Sequence, residues 1–195
     1  MSPLEIFATI FTVACVGLAN IRSTWQYPIG IIGTILFFFV FWKVGLMSSA
    51  LLQVVFTFVQ IYGWWFWLRG DAGSKPKITS FLLDKTSNNY LWYFGGLAVA
   101  IAACFPLGWI MQSFGAVMSI NDACLFTTSI LAQFWLDRKK LETWTAWGLV
   151  NAGSVYVYAN QGLIVTTILY IGLFVNAFVG YYLWKKEFKG YGSAG

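Results

Sequence analysis

Histidine is absent from this chain of 195 residues. That removes imidazole acid–base catalysis, histidine proton relays and imidazole metal ligation from the functions open to it. Charge is scarce as well: 12 Lys and Arg with 7 Asp and Glu make up 10% of the sequence, against about 25% in a soluble domain. With 59% hydrophobic residues, the chain lacks the polar groups to cover a globular surface. Cysteine is limited to Cys15, Cys104 and Cys124, an odd number inside apolar stretches and without metal-ligand spacing. They read as small packing residues, and no cofactor is expected. Lys and Arg lie between and after the apolar runs. The net charge of +5 therefore reflects membrane topology and not affinity for nucleic acid. The N-terminal stretch MSPLEIFATIFTVACVGLANIR has no basic region ahead of its apolar run and carries Glu5. It is expected to form a first membrane helix, not a cleaved signal peptide.

What is present is apolar sequence in long runs, and about 20 such residues let a helix cross the hydrocarbon. Apolar runs and their breakers predict an all-α membrane protein with seven spans: Leu4–Asn20, Trp25–Trp42, Leu46–Leu68, Tyr90–Ile110, Ser119–Leu136, Trp144–Ala159 and Leu163–Trp184. Trp and Tyr cluster at several ends, where their rings suit the headgroup level. The polar stretch Arg69–Asn89 is the one long loop. Orientation follows from the basic residues. With the N-terminus outside and the C-terminus inside, Arg22, Arg69, Lys75, Lys77, Lys85, Arg138, Lys139, Lys140, Lys185, Lys186 and Lys189 are cytosolic, leaving only Lys43 outside.

A shift of 117 residues aligns two halves. GLMSSALLQVVFTFVQIYGWWFW from Gly45 meets GLIVTTILYIGLFVNAFVGYYLW from Gly162, placing Gly63 on Gly180, Trp67 on Trp184 and Glu5 on Asp122. Trp25 meets Trp144 once two residues are added to the preceding loop. The expected organisation is a three-helix repeat over 1–68, a cytosolic loop with connector helix and outer loop over 69–118, a second three-helix repeat over 119–184 and a basic cytosolic tail over 185–195. Because the offset is four helices, both repeats insert in the same direction. Parallel repeats around a connector are a transporter architecture, with the substrate near the midplane between the halves.

Three spans carry polar stripes. Trp144, Trp147, Asn151, Ser154 and Tyr158 recur at spacings of three, four, three and four and share one helix face. Gln53, Thr57 and Gln60 share a face of the third span. Asp122, Ser129 and Gln133 share a face of the fifth, with Thr128 beside them. Such residues also serve as hydrogen-bonding glue between membrane helices, and Trp144 lies where an interfacial anchor would. Glu5 and Asp122 suit solvated helix starts. An interior rich in indole rings and amides but without Lys or Arg fits a flat aromatic or cationic solute better than a phosphate.

The stretches WQYPIGIIGTILFFFVFWKVGL, ALLQVVFTFVQIYGWWFW, DACLFTTSILAQFWLDRKKLETWTAWGLVN and YANQGLIVTTILY, with the W-x-x-W of Trp144 and Trp147 as the most specific element, resemble the Pnu (PnuC-like) family of bacterial vitamin and vitamin-precursor transporters. The resemblance implies seven helices in a 3+1+3, SWEET-like arrangement in the bacterial inner membrane. It also implies uptake of an unphosphorylated vitamin by facilitated diffusion, with trapping by a cytosolic kinase. Carried over by motif, Trp144, Trp147 and Asn151 belong to the substrate site, with Gln53, Gln60, Thr128 and Gln133 as neighbours; Thr57, Ser154 and Tyr158 complete the candidate set. Asn151 stands where many nicotinamide riboside transporters of the family carry an acid, and Gln161 where they carry a base. The reading therefore leans to thiamine and the PnuT-like branch, with nicotinamide riboside next and riboflavin third.

Other classes fit less well. A retinal protein needs a lysine in its last helix, and none lies between Lys140 and Lys185. An enzyme would need a metal cluster or a nucleophile with a base, and the sequence offers neither. A sugar carrier of the SWEET type is the nearer rival. The expected partners are a small vitamin, the lipid bilayer and, functionally, a kinase; homo-oligomerisation is left open.

Overall fold

Among the described residues, seven helices form where the apolar runs predict them: α1 (Pro3–Asn20), α2 (Gln26–Lys43), α3 (Met47–Leu68), α4 (Tyr90–Ser113), α5 (Ile120–Asp137), α6 (Thr143–Asn160) and α7 (Ile164–Gly192). The structure, a computed structural model, describes residues 3–43, 47–69, 77–83, 90–113, 120–160 and 164–192. Five helices are long and apolar enough to cross a membrane, namely α1, α2, α3, α4 and α7. The other two fall below that mark because they hold the interior polar residues: Ser129 and Gln133 on α5, Asn151 and Ser154 on α6.

Helix ends lie within a few residues of expectation except at the close of α7. The expected basic tail after Trp184 is helical through Gly192. Lys185, Lys186, Glu187 and Lys189 end the apolar run, yet Lys and Glu are good helix formers, so hydropathy stops before the helix does. At 29 residues, α7 is about 43 Å long, more than the roughly 30 Å of hydrocarbon.

The chain divides into two compact units. In the first, α1 packs on α2 and α2 on α3. In the second, α5 packs on α6 and α6 on α7. Here α4 meets α5, where a Cβ at Gly96 would lie 3.1 Å from the Trp135 ring and 3.3 Å from Leu131. Cys104 and Thr127 also share a 3.3 Å hydrogen bond across this pair. All three cysteines are free, and Cys104 packs as expected.

The first three helices and the last three share a register. Pro3 and Ile120 begin α1 and α5, Asn20 and Asp137 end them, Gln26 and Thr143 begin α2 and α6, and Met47 and Ile164 begin α3 and α7. Each pair is 117 positions apart. Both α1 and α5 close in the same way. Among the described residues, Arg22 and Lys139 are the non-glycine residues of positive φ, at 56° and 59°. Arg22 N–H donates to Ala19 C=O and Ser23 N–H to Leu18 C=O; Lys139 N–H donates to Leu136 C=O and Lys140 N–H to Trp135 C=O. This is the Schellman closure, usually made with glycine. The unbroken register also corrects one expectation: no residues need adding, and Tyr27, not Trp25, occupies the position of Trp144. Trp25 sits in the turn and is exposed. Tyr27 meets Trp67 edge-on at 5.5 Å, as Trp144 meets Trp184 at 5.6 Å.

Candidate functional site

The α5–α6 turn is built on buried polar groups. Thr143 opens α6 and donates its hydroxyl to the Ala132 carbonyl of α5 at 2.7 Å. Glu142, one residue earlier, has an acid's preferred place at a helix N-terminus but turns its carboxylate to another segment. Its Oε1 accepts from the Ser80 hydroxyl and from Leu82 N–H. Thr79 forms a parallel bridge with Lys140, through Thr79 N–H to Lys139 C=O and Leu141 N–H to Thr79 C=O. Part of the expected long loop, residues 77–83, is thus a strap docked on this turn, with Ile78 and Ser80 fully buried. On α5, Gln133 donates its amide to Asp137 Oδ1 at 3.1 Å, which accounts for one of its donors within the helix.

Above this turn runs the α6 stripe. Trp144, Asn151 and Ser154 are buried and Trp147 is half-buried. Trp144 is a packing residue in this structure. Its ring lies on Gly180 of α7, where a Cβ would fall 2.5–2.6 Å from three ring carbons. With 4% exposure it does not present its ring at the headgroup level as an interfacial anchor would. Its indole N–H is buried without a hydrogen-bond partner, as is the Gln26 amide nitrogen of α2. Trp147 packs beside Ala132, Trp135 and Ala146. Tyr158 stacks on Tyr170 of α7 at 5.1 Å. The Asn151 amide and the Ser154 hydroxyl are buried on the same face, each at 4% exposure. Thr128 is half-buried on α5. The side chain of Asp122 and the whole of Gln161 lie outside the described residues.

In the first unit the α3 stripe divides by role. Thr57 is packing glue: its hydroxyl donates to the Gln53 carbonyl and shares a 2.9 Å bond with Thr34 of α2. Gln60 is buried over Gly30, where a Cβ would fall onto its amide oxygen and 2.8 Å from Cys15 Sγ. Gln53 is half-buried. The register gives these positions a second meaning. Gly30 corresponds to Trp147 and Gln60 to Ala177, so the bulk moves from the third helix of one triplet to the second helix of the other. Where the first unit admits no side chain, the second carries an indole.

Sequence reasoning missed Thr34, Gln26, Gly30, Ser80 and Glu142. Only the strap left a usable signal: Ile78, Phe81, Leu82 and Leu83 are an apolar patch within a polar loop, and such a patch seeks cover.

Comparisons with known proteins complete the picture. The family described as nicotinamide mononucleotide transporter matches residues 2–186. The nicotinamide riboside transporter PnuC of Escherichia coli (strain K12) is 29% identical over 213 aligned positions, covering 99% of this chain and 89% of the relative. The riboflavin/roseoflavin transporter RibM of Streptomyces davaonensis is 26% identical over 173 positions, covering 86% and 77%. Among solved structures, the crystal structure of the vitamin B3 transporter PnuC shares the fold, with a TM-score of 0.80 at 20% identity over 95% of this chain and 82% of that one.

Proposed function

The chain belongs to the nicotinamide mononucleotide transporter family, the PnuC family, and from that premise we propose that it takes up nicotinamide riboside. Membership makes the protein a multi-pass bacterial inner-membrane transporter of a small vitamin-type solute, and not an enzyme. The choice of solute rests on the relative that matches nearly the whole chain, which is named for nicotinamide riboside. The expectation of thiamine gives way on that finding. The departures at Asn151 and Gln161 that had favoured thiamine do not outweigh a likeness over 99% of the chain. A neutral amide at Asn151 remains able to hydrogen-bond a ribose hydroxyl or a carboxamide.

The geometry that supports this reading is the α6 face. In this reading Trp147 stacks on a flat cationic base, Asn151 and Ser154 hydrogen-bond it, and Thr128 and Tyr158 are further candidates. Gln53 and Gln60 are the corresponding candidates of the first unit. Trp144, Gln133 and Thr57 act on the solute only indirectly, since their rings or polar atoms are engaged in packing. The 117-residue register supports a 3+1+3 order of two parallel repeats around α4, and the basic residues support an outer N-terminus and an inner C-terminus. Transport is facilitated diffusion. The spans hold no Lys or Arg between their ends with which to bind a phosphorylated product, so a kinase traps the solute inside.

Tryptophan-fluorescence titration of purified protein with nicotinamide riboside, thiamine and riboflavin tests the assignment. Saturable quenching by nicotinamide riboside at the lowest concentration is expected. A response to thiamine without one to nicotinamide riboside would overturn it.

A further inference from the structure

A cavity lies along α4. It is a groove of about 1250 Å³ between α4 and α5, open along one side and lined by Leu91, Trp92, Val99 and Leu131, with Arg138 and Lys140 at one end. Trp92 and Val99 are 74% and 69% exposed. The groove exists because of a glycine pair. Gly96 lets α4 approach Trp135 and Leu131, and Gly95, the next residue, has nothing within 4 Å of where its Cβ would stand. The wall is therefore apolar over most of its length and cationic at one end only.

The two cations are held at the wall. The Arg138 guanidinium lies 4.9 Å over the Phe134 ring and the Lys140 ammonium 4.4 Å over the Phe81 ring, an arrangement that keeps their stems along apolar surface and their charge at its edge. Lys139 stands between them in sequence. We propose that this groove binds one anionic phospholipid, its acyl chains along α4 and its phosphate between Arg138 and Lys140. The occupant is amphiphilic because the wall is. It is anionic because the polar end consists of Arg and Lys, and basic pockets between membrane helices bind such headgroups. A second copy of the chain would fill the apolar part but would gain nothing from the cationic end. With the N-terminus outside, the lipid belongs to the cytosolic leaflet, the one that carries the basic loops.

The test uses native mass spectrometry of the full chain released from nanodiscs of equal phosphatidylglycerol and phosphatidylethanolamine. Phosphatidylglycerol should remain bound in excess. The double variant Arg138→Gln with Lys140→Gln should lower that preference by about 25-fold, near fivefold for each cation. Gly95→Leu fills the open groove, and because Leu favours a helix over Gly the fold is kept; it should reduce occupancy by both lipids alike. Equal retention of the two lipids by the unaltered protein, or retention unchanged in both variants, would overturn the proposal. Val99→Cys forming a disulfide with a second copy in the same nanodiscs, without bound phosphatidylglycerol, would overturn it in favour of a subunit interface.

Discussion

Gly180→Ala measures the packing of Trp144 directly. The added methyl would lie 2.5–2.6 Å from Cδ2, Cε2 and Cε3 of the ring, whereas carbon atoms settle at about 3.5–4.0 Å. The ring would have to retreat by about 1 Å. It is buried and braced edge-on against Trp184, so it has little space to do so. Overpacking of this kind costs about 1–3 kcal/mol, offset by the roughly 0.5–1 kcal/mol that Ala gains over Gly inside a helix. The net loss of up to about 2.5 kcal/mol corresponds to a Tm lowered by up to about 10 °C in a chain of this size. Gly172 on the same helix is the control, because nothing lies within 4 Å of its Cβ position; Gly172→Ala should hold or raise the Tm. Melts of detergent-solubilised protein followed by intrinsic fluorescence give both values, and removing Trp144 leaves ten of the 11 tryptophans as reporters. In a Trp144→Ala background the penalty of Gly180→Ala should vanish, since the two residues couple only through contact. A Gly180→Ala protein that melts at or above the unaltered one, or a penalty that persists without Trp144, would refute the packing role.

Four further outcomes are expected. Thr57→Val removes the Thr34 bond and should cost about 0.6 kcal/mol of stability, typical of a hydrogen bond between membrane helices, with uptake of nicotinamide riboside unchanged. Asn151→Ala should do the reverse, weakening nicotinamide riboside binding about tenfold or more for a lost buried hydrogen bond while the melt stays close to that of the unaltered protein. Glu142→Ala leaves the buried Ser80 hydroxyl without its acceptor, at about 1–3 kcal/mol, and leaves Leu82 N–H only its 3.3 Å contact with Ser80 Oγ; hydrogen exchange at Leu82 should speed up, and unchanged exchange would argue against the strap. Lys139→Gly relieves a left-handed side chain and should gain up to about 1 kcal/mol, read as a raised Tm.

Helix number and most helix ends could be read from the sequence, because in lipid an apolar run of sufficient length has little alternative to a helix. The end of α7 could not, since Lys and Glu end a hydropathy signal without ending a helix. The stripe on α6 was legible from its spacing, but its division of labour was not. Trp144 and Trp147 are alike in sequence, and only the small residue across from Trp144, Gly180, makes it a packing ring. Likewise Thr57 and Gln60 share a face of α3, yet a hydroxyl on the neighbouring helix at Thr34 decides that Thr57 is glue. The strap depends on a partner 60 residues away, a pairing that no local pattern encodes. The lean to thiamine rested on single-site departures such as Asn151, which carry less weight for the solute than the likeness of the whole chain to relatives named for nicotinamide riboside.

The paired closures at Arg22 and Lys139 bear on how the chain is made. Each joins two 18-residue helices through a five-residue turn that satisfies the last carbonyls of the first helix before the second begins. In α1–α2 and α5–α6 alike, the C-terminal carbonyls of the first helix are therefore already paired when the second helix is added. In both turns a cation takes the left-handed position, where glycine would fit with less strain.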